Sequence, residues 1–150
     1  MKRILLLFVS PVLFAATPQY QSPDITVPAA SSDEPVLKSF SLAKANDYLE
    51  KGAIAWTRKR NCVTCHTTGT YMQIRPELTP LLGKPTAEIH DLLTDRLKEL
   101  SGLNKEELDK GTNPAQMIYI AAGLAEWDRH VGEKLSAQTK AALSLMLENQ

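Results

Sequence analysis

The chain's only two cysteines, Cys62 and Cys65, stand three residues apart, and a histidine follows at once: residues 62–66 read Cys-Val-Thr-Cys-His. No other stretch constrains the fold as strongly. A spacing of three puts both sulfurs on one side of a single helical turn. Two thiols so placed can add to the two vinyl groups along one porphyrin edge, and His66 can turn its imidazole beneath the ring to ligate the iron. This is the C-x-x-C-H pattern of covalent haem attachment. The second imidazole nitrogen then needs an acceptor to fix the tautomer. Three other chemistries use a cysteine pair. A thioredoxin-like redox pair belongs to alternating strands and helices. A structural zinc site requires further ligands, usually a second Cys or Cys/His pair. A disulfide across so short a loop constrains little.

The N-terminus bears on the choice, because c-type haem is attached outside the cytoplasm. Lys2 and Arg3 precede an almost wholly apolar run over 4–16. Thirteen residues at a rise of about 1.5 Å fall well short of a hydrocarbon core of about 30 Å. The run therefore reads as a secretory signal peptide, residues 1–16, cleaved near Ala15 or Ala16. The mature chain is expected to be exported, periplasmic in a bacterium, with no membrane span. Residues 17–35 carry Pro18, Pro23, Pro28 and Pro35 among Ser, Thr and Ala, the composition of a semi-extended tether. Residues 36–150 then form one domain. Seventeen Lys+Arg balance seventeen Asp+Glu over the whole chain, which argues against a nucleic-acid partner.

Periodicity over 36–150 is helical, with no sustained strand alternation. Ser41 can cap a helix running to about Arg60, with an apolar stripe of Leu42, Ala45, Leu49, Gly52 and Trp56. Thr86 can cap a second helix with the stripe Ile89, Leu92, Leu93, Leu97 and Leu100, which ends before Gly102. A short helix between Asn104 and Gly111 follows. Another starts at Asn113-Pro114 and turns Met117, Ile120, Ala121, Leu124 and Trp127 inward. A last helix after Ser136 carries Ala142, Leu143, Met146 and Leu147. The stretch from about Thr67 to Pro85 reads as irregular. The expected class is all-α, four to five helices around one covalently bound haem.

With these residues in place, the chain resembles the class I c-type cytochromes. Gly52 followed by aromatic Trp56, then the Cys62–His66 string, is similar to that family's first helix and attachment site. The resemblance implies that Gly52 and Trp56 cross the C-terminal helix. Arg75-Pro76-Glu77-Leu78 followed by Leu82-Gly83 resembles the stretch whose proline carbonyl accepts the haem histidine's second N–H, here that of Pro76. A weaker resemblance, carried by Gly123 to Asp128 and by Leu145-Met146, is to haem domains that precede squalene-cyclase-like repeats in bacterial proteins. The resemblance implies one-electron transfer to redox partner proteins rather than catalysis, and the sequence shows no nucleophile triad or paired-carboxylate site.

The residue on the far side of the iron stays open. Met72 follows His66 too soon, Met146 reads as core filler and His90 as a surface or half-buried residue. Position relative to the last helix favours His130, and residue type favours Met117. Tyr71 and Arg75 could bond the haem propionates or be ordinary loop residues. Arg58, Lys59 and Arg60 could orient an acidic partner, or simply complement the dipole at a helix end. A haem enzyme of peroxidase type and a small-gas sensor are the rival functions, since both need an open or displaceable sixth position.

Overall fold

In a computed structural model, the described residues are 20–21, 26–27, 31–34, 36, 38–64 and 68–149. Residues 1–16, expected to be a signal peptide, and most of the Pro-rich stretch lie outside them. Within that stretch two-residue strands, β1 (Tyr20–Gln21) and β2 (Thr26–Val27), pair antiparallel, with Tyr20 opposite Val27. All other regular structure among the described residues is helical, as the 3.6-residue periodicity requires.

Helix α1 spans Leu42–Arg60. Ser41 caps it by accepting the Lys44 N–H, and Asn61 ends it in the left-handed conformation at φ 47°. The segment expected to be irregular is instead largely helical: α2 (Thr68–Ile74), a 3₁₀ turn (Pro76–Leu78) and α3 (Thr79–Leu82). Thr68-Gly69-Thr70 has poor intrinsic helix propensity, so α2 is a case of packing overriding local preference. Helix α4 (Ala87–Ser101) and the one-turn α5 (Lys105–Leu108) follow, the latter closed by a capping box between Asn104 and Glu107. Helix α6 (Asn113–Trp127) runs on into a π-helical turn (Asp128–Gly132), and α7 (Ala137–Glu148) completes the chain.

Helix α6 is the hub. It packs against α2, α4 and α7, and the fully buried Met72, Ile89, Leu93, Leu100, Ile120 and Leu124 fill the space between them. Two glycines allow the closest approach. A Cβ on Gly69 would lie 2.6 Å from Tyr119 Cδ1, and one on Gly123 would lie 2.9 Å from Met72 Cβ.

The apolar stripes of α4 and α6 fall where periodicity puts them, but that of α1 does not. Its buried residues are Ala53, Ala55 and Thr57, while Leu49 is 57% exposed and Leu42, Ala45 and Trp56 are half-buried. The cause is the path of α2. It lies against the face that carries Asn46, Glu50, Ala53 and Thr57, where hydroxyl, phenol and carboxylate groups pair instead of apolar side chains. Helix α1 packs mainly on α2 and α4, and α7 mainly on α6. A Cβ on Gly52 would meet nothing within 4 Å.

Candidate functional site

Cys62 leaves α1 one residue after its cap. It is half-buried and bears a free thiol, 3.2 Å from Thr64 Oγ1. Val63 and Thr64 then turn inward and are buried. The Val63 N–H donates to Gln116 Oε1 at 3.1 Å, which ties the motif to the first turns of α6. Gln116 is 1% exposed and fully used. The same oxygen accepts from Arg96 Nε at 2.9 Å, and its amide donates to Thr112 Oγ1 and Asn113 Oδ1. Asn61 donates to Glu99 Oε2 at 2.9 Å, and Arg96 donates to the same carboxylate. The Asn61 and Arg96 hydrogen bonds hold the Glu99 carboxyl below its ordinary range.

Cys65 and His66 lie outside the described residues, together with Thr67. The residues on either side of them are firmly anchored. Gly69 N–H donates to Thr64 O at 3.1 Å. Thr68, fully buried, donates its hydroxyl to Ala53 O at 2.8 Å and meets the Thr57 hydroxyl. The span between Thr64 and Thr68 is thus bracketed by buried, hydrogen-bonded residues on α1, α2 and α6. Any group attached at Cys62 starts from a fixed origin. Cys62 is partly exposed, and the string Cys62, Cys65 and His66 supplies two thiols and an imidazole, the donor set that covalent haem attachment uses.

Tyr71, Arg75 and Pro76 are all buried. They stand along the other half of α1. Tyr71 hydroxyl lies 3.0 Å from both Asn46 Oδ1 and Glu50 Oε2. Burial pushes its phenol pKa up and Glu50 pushes it the same way, while the Arg75 guanidinium opposes them. Arg75 donates Nη2 to Gly83 O at 3.0 Å. Pro76 O accepts both the hydroxyl and the N–H of Thr79, so its two lone pairs are engaged within the turn. The neighbours of Tyr71, Asn46 and Glu50, lie ten or more residues before the end of α1 at Arg60, about 15 Å or more along the helix at 1.5 Å per residue.

The two distal candidates sit at opposite ends of one helical run. Met117 is 4% exposed within the core cluster and directly follows Gln116, the residue bonded to Val63. His130 lies on the π-helical turn with Nε2 3.2 Å from Glu126 Oε2, about 20 Å farther along the run. Asp128, on the same turn, accepts the Ser136 N–H and the Thr139 hydroxyl at 2.6 Å each. Burial alone would raise its carboxyl. These hydrogen bonds and the nearby His90 outweigh burial and hold the pKa below the ordinary range. His90 is half-buried, its ring 4.7 Å from that of Trp127. Met72 is wholly buried between α2 and α6, and Met146 packs on the core edge. Arg58, Lys59 and Arg60 are exposed; Arg58 pairs with Glu88, and the Arg60 guanidinium lies 5.5 Å over the Trp56 ring.

Sequence reasoning did not single out Gln116, Arg96, Thr57 or Thr68. A glutamine beside Met117 and one turn before Ile120, within an otherwise apolar face, was the available signal, because buried amides require partners. No family model, curated protein or solved structure matches the chain.

Proposed function

We propose that this chain is an exported monohaem c-type cytochrome acting as a one-electron carrier. Cys62 and Cys65 would hold the haem covalently, and His66 would be the proximal iron ligand. The observation that carries the reading is the Cys-Val-Thr-Cys-His string leaving α1 between anchored flanks, with Val63 fixed to Gln116 and Thr68 fixed to Ala53. Bound there, the haem supplies the one-electron couple. The chain's own part is positional. Gln116, itself held by Arg96, sets where Cys62 and Val63 emerge, and the Gly69 N–H donates back to Thr64 O. The all-helical setting weighs against the thioredoxin-like alternative. The half-exposed Cys62 leaves one edge of the site near solvent, as exchange with a redox partner protein requires.

For the far side of the iron, position supports Met117 over His130. Met117 shares the turn of α6 that carries the bond to Val63, and His130 is engaged with Glu126 about 20 Å away. A sulfur-to-iron charge-transfer band in the ferric spectrum, lost in Met117→Leu and kept in His130→Ala, is the expected result. Its absence from the parent protein would exclude methionine.

The attachment itself is tested by producing the full chain in a host with cytochrome-maturation machinery. One covalent haem per chain by mass, abolished in the Cys62→Ala/Cys65→Ala double variant, is expected. Colourless protein of unmodified mass refutes the proposal. Carbon monoxide added to the ferrous form separates the carrier from the sensor and peroxidase-like readings. Slow or absent binding supports the carrier, and rapid full binding supports the rivals.

A further inference from the structure

Cys62 would carry one of the two thioether links, so the residues beside it border an edge of the ring. Three consecutive cations stand there. Arg58, Lys59 and Arg60 form the last turn of α1, all three are exposed, and Asn61 and the half-buried Cys62 follow at once. The two carboxylates that meet this end of the helix are engaged. Glu88 pairs with Arg58, and Glu99 accepts from both Asn61 and Arg96. The Arg60 guanidinium instead lies 5.5 Å over the Trp56 ring, a contact that orders the side chain without neutralising it. The molecule as a whole has the opposite sign. Beyond the expected signal peptide, residues 17–150 contain fifteen basic and seventeen acidic side chains. The cationic turn is therefore a local feature of the end that bears the motif. As a complement to the helix dipole it would matter only to stability. Beside a redox edge it also sets the potential that an approaching molecule meets.

Resting on the cytochrome reading above, we propose that the turn Arg58–Arg60 is the docking surface for a redox partner protein that presents carboxylates. One electron crosses between that partner's redox centre and the haem at this edge. Charge selects the partner's face, since complementary potentials speed encounter and fix orientation. Function selects a protein, because a lipid surface is also anionic but holds no redox centre to exchange with.

The test compares two reagents of opposite charge on the haem-loaded full chain by stopped flow. Hexacyanoferrate(III) takes one electron from the ferrous haem and becomes hexacyanoferrate(II). Tris(phenanthroline)cobalt(III) takes one and becomes the cobalt(II) complex, and neither step makes or breaks a bond. Whole-chain charge favours the cobalt complex, whereas the local turn favours hexacyanoferrate. The hexacyanoferrate rate should fall about threefold or more between about 0.01 M and about 0.3 M salt, as screening shortens the reach of the field, and the cobalt rate should rise. Lys59→Gln/Arg60→Gln should abolish or reverse both slopes with the Soret band unchanged. Lys134→Gln/Lys140→Gln removes the same charge before and on α7 and should leave both slopes as they are. A hexacyanoferrate rate that rises with salt in the parent protein, equal slopes in the two double variants, or a fall in Tm of Lys59→Gln/Arg60→Gln with no change of slope overturns the proposal and leaves the cytochrome reading standing. Loss of binding to phosphatidylserine vesicles in that variant, with its transfer slopes unaltered, assigns the turn to a lipid surface and overturns it too. Colourless protein refutes the cytochrome reading and this docking role together.

Discussion

Gly69→Ala and Gly52→Ala make a paired test of how this chain is packed, because both place a methyl group on a helix and the structure predicts opposite signs. Alanine exceeds glycine in helix propensity by about 0.5–1 kcal/mol. At Gly52 nothing lies within 4 Å of the added carbon, so the propensity gain should appear undiminished. At Gly69 the Cβ would fall 2.5 Å from Thr64 O and 2.6 Å from Tyr119 Cδ1. The first of these is backbone and cannot swing aside. It also accepts the Gly69 N–H that closes the span carrying Cys65 and His66. Overpacking of this kind costs about 1–3 kcal/mol, so after the propensity gain the net loss should be about 1 kcal/mol. For a domain of this size that lowers Tm by roughly 4–5 °C, and Gly52→Ala should raise it by roughly 2–4 °C. Thermal unfolding followed by circular dichroism reads both. The resemblance to class I cytochromes implies a helix crossing at Gly52, which would make Gly52→Ala the damaging change. Destabilisation by Gly52→Ala, or stabilisation by Gly69→Ala, would refute the packing described for α1 and α2.

Three further outcomes follow from the buried polar groups. Gln116→Leu strips the acceptor from both Val63 N–H and Arg96 Nε, and should cost about 2–3 kcal/mol in urea unfolding and lower the haem content per chain. Gln116→Glu, which keeps that acceptor, should retain most of both, and equal damage from the two would sink the assigned role. Asp128 has a depressed carboxyl, so its contribution is fully present above the unfolded value near pH 3.9 and is lost as pH falls through the lower folded value. Asp128→Asn should therefore flatten the acid limb of stability against pH, and an unchanged limb would contradict the bonds to Ser136 and Thr139. Tyr71 has a raised phenol, so its contribution is full below the unfolded value near pH 10 and declines as pH climbs through the folded one. In an ultraviolet titration one tyrosine should ionise after the others, and Tyr71→Phe should remove that late step.

The four long helices were legible because their signals are local. Ser41 and Ser136 cap as side chains should, and the α4 stripe from Ile89 to Leu100 is buried as spaced. Helix α2 was not legible, since its stability comes from Gly69 and Met72 fitting against α6, some fifty residues away. The same long-range cause inverted α1. Its leucine spacing is genuine, but the partner that arrives, α2, settles on the polar side, and the leucines become one wall of an open cavity. Of the site, the cysteine and histidine spacing was readable as a string, whereas the anchoring by Gln116, Arg96 and Thr68 requires knowing which helices meet.

The way α1 is attached decides where a bound porphyrin would matter most. The core of the domain is apolar and is built mainly by α2, α4, α6 and α7, to which α1 adds Ala53 and the partly buried Ile54. The residues α1 buries are Ala53, Ala55 and Thr57, and its remaining grip on α2 is polar: Thr57 with Thr68, and Asn46 and Glu50 with Tyr71. Burying two alanines removes little apolar surface at about 25 cal/mol per Å², and net hydrogen-bond contributions are about 1 kcal/mol each. The haem-free chain should therefore keep α4 and α6 while α1 opens locally, a narrower outcome than loosening of the whole domain. Amide exchange on the Cys62→Ala/Cys65→Ala chain would show it. Amides of Leu42–Arg60 should exchange at least a hundredfold faster than those of α6, as sub-global opening of a weakly docked element demands. Protection of α1 equal to that of α6 would mean its polar contacts hold it as firmly as the core holds the rest, and would refute the weak docking of α1.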